Sequence, residues 1–508
     1  MALRSFVAAS YLSAAPSLSL TRSLSKKPIA LLNMTQTVSI ETAATTHRTP
    51  SPTSFKPTYT HKVKAAVQDI ATLAALTLVL PLNASLVGTA LLFKALTFPF
   101  KKSKTAVASS TAKKTVLISG GKMTKALQLA RSFHRAGHRV ILIETHKYWL
   151  VGHRFSCAVD KFYTVPKPSD PSYAQALLDI VIKEQVDMYV PVCSPVASYY
   201  DSQAIPTLEA HCEIMHVRPE RIEKLDDKYQ FAQTAQSFGL SVPKSYLITH
   251  PQQVIDFDFS NEVHPYILKS IPYDSVRRLD LTKLPCKTPE ETAAFANALP
   301  ISESNPWVMQ EFISGQEYCT HSTLRNGELR MHCCCESSAF QVNYENVESP
   351  DIEEWVRRFA AGLHLTGQAS FDFIKSHEDG RAYAIECNPR THSAITMFYS
   401  QPAVAEAYLG TQPLPAPVQP LPSSRPTYWI YHEVWRLLNS LPNPRDIEKR
   451  LRILTEGKDA IFDWQDPLPF LMVHHWQIPL LLLSDLRKLK GWIRIDFNIG
   501  KLVQLGGD

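Results

Sequence analysis

The chain has 508 residues, a formal net charge of +6, 45% hydrophobic residues, 17 Gly and 36 Pro, which asks for several domains and excludes a collagen-like or glycine-linker protein. Eight Lys or Arg against one acid fall in the first 64 residues, so the remainder is close to neutral and gives no ground for a nucleic-acid partner. The nine cysteines include three in a row, Cys333, Cys334 and Cys335, which one strand cannot cross-link, so a reducing compartment is expected.

Residues 1–33 are rich in Ser, Ala and Leu, contain Arg and Lys, and hold no acid. That is the composition of an organelle transit peptide, with a secretory signal as the alternative. A plastid (chloroplast) location follows as the expectation, mitochondrion and cytoplasm being the alternatives. Residues 34–69 open on a Thr/Ser/Pro-rich stretch and are expected to be a disordered polar segment. Ile70 to Phe93 is 24 residues without a charge, long enough to span a bilayer. Pro81 and Asn83 interrupt it, and Lys94, Lys101, Lys102 and Lys104 form a basic flank. Residues 70–98 are therefore a candidate membrane anchor, with a buried soluble helix as the alternative.

The body begins at Thr115. Val116–Ser119, Thr124–Ala136 and Arg139–Glu144 read as strand, helix, strand, the opening of an α/β domain over residues 115–224. Neither GxGxxG nor GxxxxGK is present, so Gly120-Gly121 supports neither a dinucleotide site nor a P-loop. Beyond the strand Met188–Val192, Ser194 and Tyr199 lie where ligands of open α/β sheets bind.

Residues 225–410 read as a second domain. Asp226 or Asp227 can cap a helix that Gly239 ends. Tyr266–Ser270 is a short apolar strand with Lys269 embedded in it, and such a lysine must meet an anion or open into a cleft. Arg277 and Arg278 follow in a loop without glycine, suited to phosphate or carboxylate. Pro289–Leu299 is a helix and Trp307–Phe312 an apolar strand. Asn326-Gly327 marks a hairpin. Adjacent cysteines alternate faces, so His332 with Cys333–Cys335 does not make a zinc set. Residues 367–392 form two alternating strands joined at Glu378-Asp379-Gly380. Asp372 and Glu386 can share one face with Asn388, a donor set suited to a divalent cation that also takes substrate phosphates, the habit of Mg²⁺. Arg390 adds a cation beside it.

IECNPR resembles the metal-binding strand of the ATP-grasp superfamily. The order Asp-Lys (Lys228), strand lysine (Lys269), hinge glutamate (Glu311), Asp372 and Glu-x-Asn-Pro-Arg (Glu386 to Arg390) repeats that superfamily's pattern. The resemblance implies an N-terminal Rossmann-like α/β domain and two α+β lobes clamping ATP. It implies phosphate roles for Lys228 and Lys269, and Gln310, Glu311, Phe312 and Ile313 bordering the adenine. Glu317 would take the ribose, and Asp372, Glu386 and Asn388 would hold Mg²⁺, with Mn²⁺ as the alternative. The usual glycine-rich phosphate loop is absent, with Arg277 and Arg278 in its place. Phrases such as SGGKMTKALQLARSFHRAGHRV, MQEFISGQEYCTHST and HCCCESSAFQVNYENV closely resemble the mycosporine-glycine synthase family. That implies an ATP-dependent ligation of glycine to 4-deoxygadusol through a phosphorylated enol. Lys269, Arg277, Arg278 and Arg390 would be catalytic, and His321 and His392 are candidate proton carriers. The alternatives are an ATP-grasp ligase working through an acyl phosphate and a non-enzymatic, membrane-associated nucleotide-binding protein. Residues 411–426 are a Pro-rich linker. Residues 427–508 are expected to pack on the body or to touch a membrane through a basic amphipathic helix.

Overall fold

The computed structural model describes residues 59–97, 112–192, 194–271, 277, 280–337, 343–440 and 443–504. The transit-peptide expectation, residues 34–58 of the disordered segment, residue 98 and Arg278 lie outside them.

The α/β domain is a five-stranded parallel sheet. Its order is Lys161–Val165, Arg139–Thr145, Thr115–Ile118, Met188–Val190 and Glu213–Ile214. Its inner strands are continuous apolar runs because helices cover both faces. Val116, Leu117 and Ile118 are fully buried, as are Val140 to Ile143. Gly120 has φ +67°, and a Cβ there would sit 1.9 Å from the Val192 carbonyl oxygen. The glycine turn thus owes its identity to backbone crowding, as expected without a dinucleotide fingerprint.

Two α+β lobes follow. The smaller sheet places Trp307–Glu311 between Ser245–Ile248 and Tyr266–Ser270, all antiparallel. The larger has the order Glu328–Glu336, Gly315–Arg325, Gly367–Ser376, Ala382–Asn388, also antiparallel. Period-two alternation divides its side chains. Phe371, Phe373, Cys387 and Cys334 enter a core with Phe231, Trp355 and Phe359. The opposite face carries Asp372 beside Cys319 and Glu386, and Ser370 beside Asn388. Cys333 and Cys335 belong to a different core from Cys334. Adjacent residues of this strand therefore alternate faces, as expected.

Two expectations change. The helix at the start is Tyr59–Thr97, 39 residues, so residues 59–69 are helical rather than disordered. It continues through Pro81, where Ser85 donates to the Pro81 carbonyl at 2.7 Å. It is long and apolar enough to cross a membrane by length and composition, yet its polar residues serve one side of it. Trp492 Nε1 donates to Asp69 at 2.7 Å, and Asn83 donates to the Tyr431 hydroxyl at 2.6 Å. Leu78, Leu82, Leu92, Phe93 and Leu96 remain exposed.

The Pro-rich stretch is not a free linker. The Val418 N–H donates to the Arg330 carbonyl at 2.8 Å, and the His332 N–H to the Val418 carbonyl at 2.9 Å. The fully buried Arg330 guanidinium is spent on the carbonyls of Glu406, Ala407 and Gly410. The C-terminal region then packs on the body. Arg131 Nε donates to Asp466 at 2.8 Å, while its Nη2 reaches the carbonyls of Ile461 and Asp466. Trp429 Nε1 donates to the Thr124 hydroxyl at 3.0 Å. The described residues thus form a mixed α/β protein: a parallel α/β domain, two α+β lobes, an apolar N-terminal helix and a docked C-terminal region.

Candidate functional site

The strand Gly367–Ser376 pairs with Ala382–Asn388 so that Asp372 stands opposite Glu386. A bulge between Asp372 and Phe373 shifts the register just beyond this pair, a device that re-aims side chains near sites. Asn388 Nδ2 lies 3.3 Å from Asp372 Oδ2 and 3.1 Å from Glu386 Oε1, so the three expected donors do converge. Burial, then the neighbouring Glu386, pushes Asp372 well above the usual carboxylate range. Burial would raise Glu386 too, but Lys228, a hydrogen bond with Asp372, and Lys269 hold it below that range. Two carboxylates forced together in this way are a place for a cation, and the donor set fits a hard divalent one. Turning the Asn388 amide over would present its oxygen to the same point.

Two lysines face this pair from different elements. Asp227 caps the helix Lys228–Ser237 by accepting from the Tyr229 and Gln230 N–H groups at 2.8 and 3.0 Å. Lys228 thus occupies the first helical position, and its Nζ lies 3.5 Å from Glu386 Oε2. Lys269 projects from the smaller sheet and donates to Gln310 Oε1 at 2.8 Å. Burial lowers its ammonium from the ordinary value, while Glu386 works the other way. Lys269→Met leaves Lys228 as the remaining lysine beside the pair and strands Gln310 Oε1. On the phosphate role that the resemblance implies for Lys269, the expected result is a loss of about 100-fold in ADP release with a weaker Kd for a fluorescent ATP analogue.

The hinge residues stand at the end of Trp307–Glu311. Gln310 is buried and bound to Lys269. The Glu311 carboxylate is committed within the protein: it accepts from the Lys244 N–H at 2.9 Å and meets His264 Nδ1 at 2.7 Å. The resemblance implies backbone or side-chain contacts from Glu311 to adenine, and here each side-chain oxygen already holds a partner within the protein. The Phe312 N–H donates to the Pro265 carbonyl at 2.7 Å, with Lys283 4.2 Å above its ring. Ile313 is buried. Glu317 lies on the sheet face of Cys319 and Asp372, and Ser337 donates to its Oε1 at 3.4 Å.

Arg390 donates to Asn388 Oδ1 and lies 3.8 Å from Asp226. The Asp280 N–H donates to the Arg277 carbonyl at 2.9 Å. Ser194 caps the helix Pro195–Gln203 and lines a cavity with Arg390. Tyr199 packs instead on the core of the larger lobe. His321 is fully buried, and burial lowers its pKa well below the ordinary value. Burial, with Lys125 and Arg390, pushes His392 down to about 3. Both shifts favour the neutral imidazole, as for structural histidines.

Two residues escaped the sequence reading. His264 bridges Glu311 to the turn between the strands Gly367–Ser376 and Ala382–Asn388, its Nε2 lying 2.8 Å from Glu378 Oε2. Lys125 is buried and donates to the Thr391 carbonyl at 2.6 Å, tying the α/β domain to the segment after Arg390. The sequence signal was available for Lys125, since a lysine on the inward start of a helix is uncommon. His264 carries none.

No protein-family model and no curated protein sequence matches the chain. Solved structures similar to it include N5-carboxyaminoimidazole ribonucleotide synthetase (PurK) in complex with ADP. There the TM-score is 0.42 and the identity 16%, covering 55% of this chain and 71% of that one. An L-amino acid ligase from Bacillus licheniformis gives 0.41 and 16%, covering 55% and 68%. N5-carboxyaminoimidazole synthase from Aspergillus clavatus, with ADP and 5-aminoimidazole ribonucleotide, gives 0.46 and 13%, covering 62% and 80%.

Proposed function

We propose that the chain is an ATP-dependent C–N ligase of the ATP-grasp type that joins glycine to 4-deoxygadusol, giving mycosporine-glycine. The observation that carries the enzyme reading is the meeting of Asp372, Glu386 and Asn388 with Lys228, faced by Lys269 from the smaller sheet. The choice of substrates rests on the close sequence resemblance over residues 115–410.

Lys228 and Lys269 approach from separate elements and would spread the charge of a phosphoryl group in motion, so that catalysis is largely positioning and electrostatics. Asp372, Glu386 and Asn388 would hold Mg²⁺, which when bound neutralises phosphate charge. Arg390, fixed between Asn388 and Asp226, would orient a carboxylate or an enolate beside the phosphates. The enol oxygen of the acceptor takes the γ-phosphoryl group and ADP leaves. The amine of glycine then adds to the conjugated ring carbon, phosphate departs with the former enol oxygen, and a proton is lost to leave an enaminone.

The full-length chain with ATP, Mg²⁺, glycine and 4-deoxygadusol is expected to release ADP with a glycine-dependent change in ring absorbance. ADP release with a carboxylate acceptor and no change in the ring would replace this reaction by acyl-phosphate chemistry. No ADP release with any acceptor would overturn the ligase reading.

A further inference from the structure

A cavity of about 560 Å³ opens beside Arg390, between the α/β domain, the segment after the metal hairpin and the C-terminal region. That is the size of a small-molecule site. The α/β domain contributes Lys122, Lys125 and Lys147 to its wall. The C-terminal region contributes Lys488, Lys490 and Lys501, and Arg390 closes one side. Among the described residues Asp485 is the one carboxylate in the lining, and its two oxygens are engaged by the Gly491 N–H at 2.9 Å and Gln504 Nε2 at 2.8 Å. Lys122 is partly neutralised by Glu144 at 3.2 Å and Arg390 by Asp226. The wall still carries several more positive than negative charges.

Gathering ammonium groups in a concave, partly dry place raises their mutual repulsion. The effect is visible on two of them. Burial and then Lys122 lower the pKa of Lys147, and the same two causes push Lys501 down to about 8. An arrangement of this kind is stable when an anion spends time among the lysines. None of Lys228, Lys269, Asp372 or Glu386 lines the cavity, so the anion is not the nucleotide phosphates. Arg390 stands between the two places, lining the cavity while donating to Asn388 of the cation site.

We propose that this cavity is the binding site for a small organic anion, the carboxylate or enolate substrate that receives activation. The C-terminal lysines would supply part of its selectivity. The proposal rests on the ligase reading for the fate of the anion, but not for its binding. On this proposal the C-terminal region has a functional part as well as a structural one, because it forms one wall of the substrate site.

The test uses the full-length chain and two probes, citrate and 4-deoxygadusol. Binding of each is measured calorimetrically without ATP, for the native chain, for Lys488→Gln/Lys501→Gln and for Lys488→Arg/Lys501→Arg. Lys488 is exposed at the rim, so Lys488→Gln alone provides a variant whose fold is not at stake. The expected result is a Kd raised about 10-fold or more in the double Gln variant, the worth of a lost hydrogen bond to a charged group. A smaller rise is expected in the single variant, with recovery in the Arg pair and an unchanged Kd for a fluorescent ATP analogue. If neither probe's Kd differs between the native and double Gln chains, the anion site is overturned. Citrate binding that depends on the lysines, in a chain that turns over no acceptor, keeps the anion site and removes the ligase reading. Turnover with an unaltered KM for the acceptor does the reverse.

Discussion

Glu386→Gln is expected to lower ADP release by about 1,000-fold or more while leaving the fold intact. Glu386 is the member of the carboxylate pair that stays charged, held so by Lys228 at 3.5 Å and by Lys269. Glutamine keeps the shape and the hydrogen bond to Asn388 but removes the charge that would meet a cation. Losses of this size are usual when a preorganised charge is removed from a transition state. The fold should tolerate the change because it also relieves the repulsion with Asp372, whose pKa should fall toward the ordinary carboxylate range. The checks are initial rates across a Mg²⁺ series and a urea midpoint. Turnover near the native rate would mean that the cation site lies elsewhere.

The largest effect on stability is expected at Asp466. Its carboxylate receives Arg131 Nε at 2.8 Å, the Ser156 hydroxyl at 2.6 Å and the Cys157 N–H at 2.8 Å. Asp466→Ala leaves a buried guanidinium uncompensated, which costs about 3–5 kcal/mol. Arg131→Met/Asp466→Leu, removing both charges, should cost less than Asp466→Ala alone. Burial would raise the Asp466 pKa, but Arg131 and Ser156 hold it below the usual carboxylate value. Its contribution is then fully present above an unfolded pKa of about 3.9 and lost as the pH falls through the lower folded value. In acid, the gap between the native chain and Asp466→Ala should narrow. Equal urea midpoints at neutral pH would show that the C-terminal region docks without this pair.

The sheets and the convergence of Asp372, Glu386 and Asn388 were legible because they use short-range rules. Alternation placed Asp372 opposite Glu386, Asp227 capped the helix that presents Lys228, and Asn326-Gly327 closed the hairpin with φ of 47° and 83°. What stayed hidden depends on pairs far apart in the chain. No local pattern says that Glu311 will be consumed by Lys244 and His264. Nor does one say that proline-rich residues around Val418 will lie along Arg330, since composition there reports only what the backbone cannot do. The helix from Tyr59 began earlier than its polar composition suggested because partners near the far end of the chain, such as Trp492, hold that turn.

That long-distance pairing has a consequence for how the protein is made. Asp69 and Trp492 are 423 positions apart. At a synthesis rate of about 5–20 residues per second, the apolar helix leaves the ribosome roughly 20–80 s before its partner surface exists. Among the described elements the first to be translated thus waits for one of the last. During that interval a chaperone or a membrane surface has access to leucines that the finished protein only partly covers.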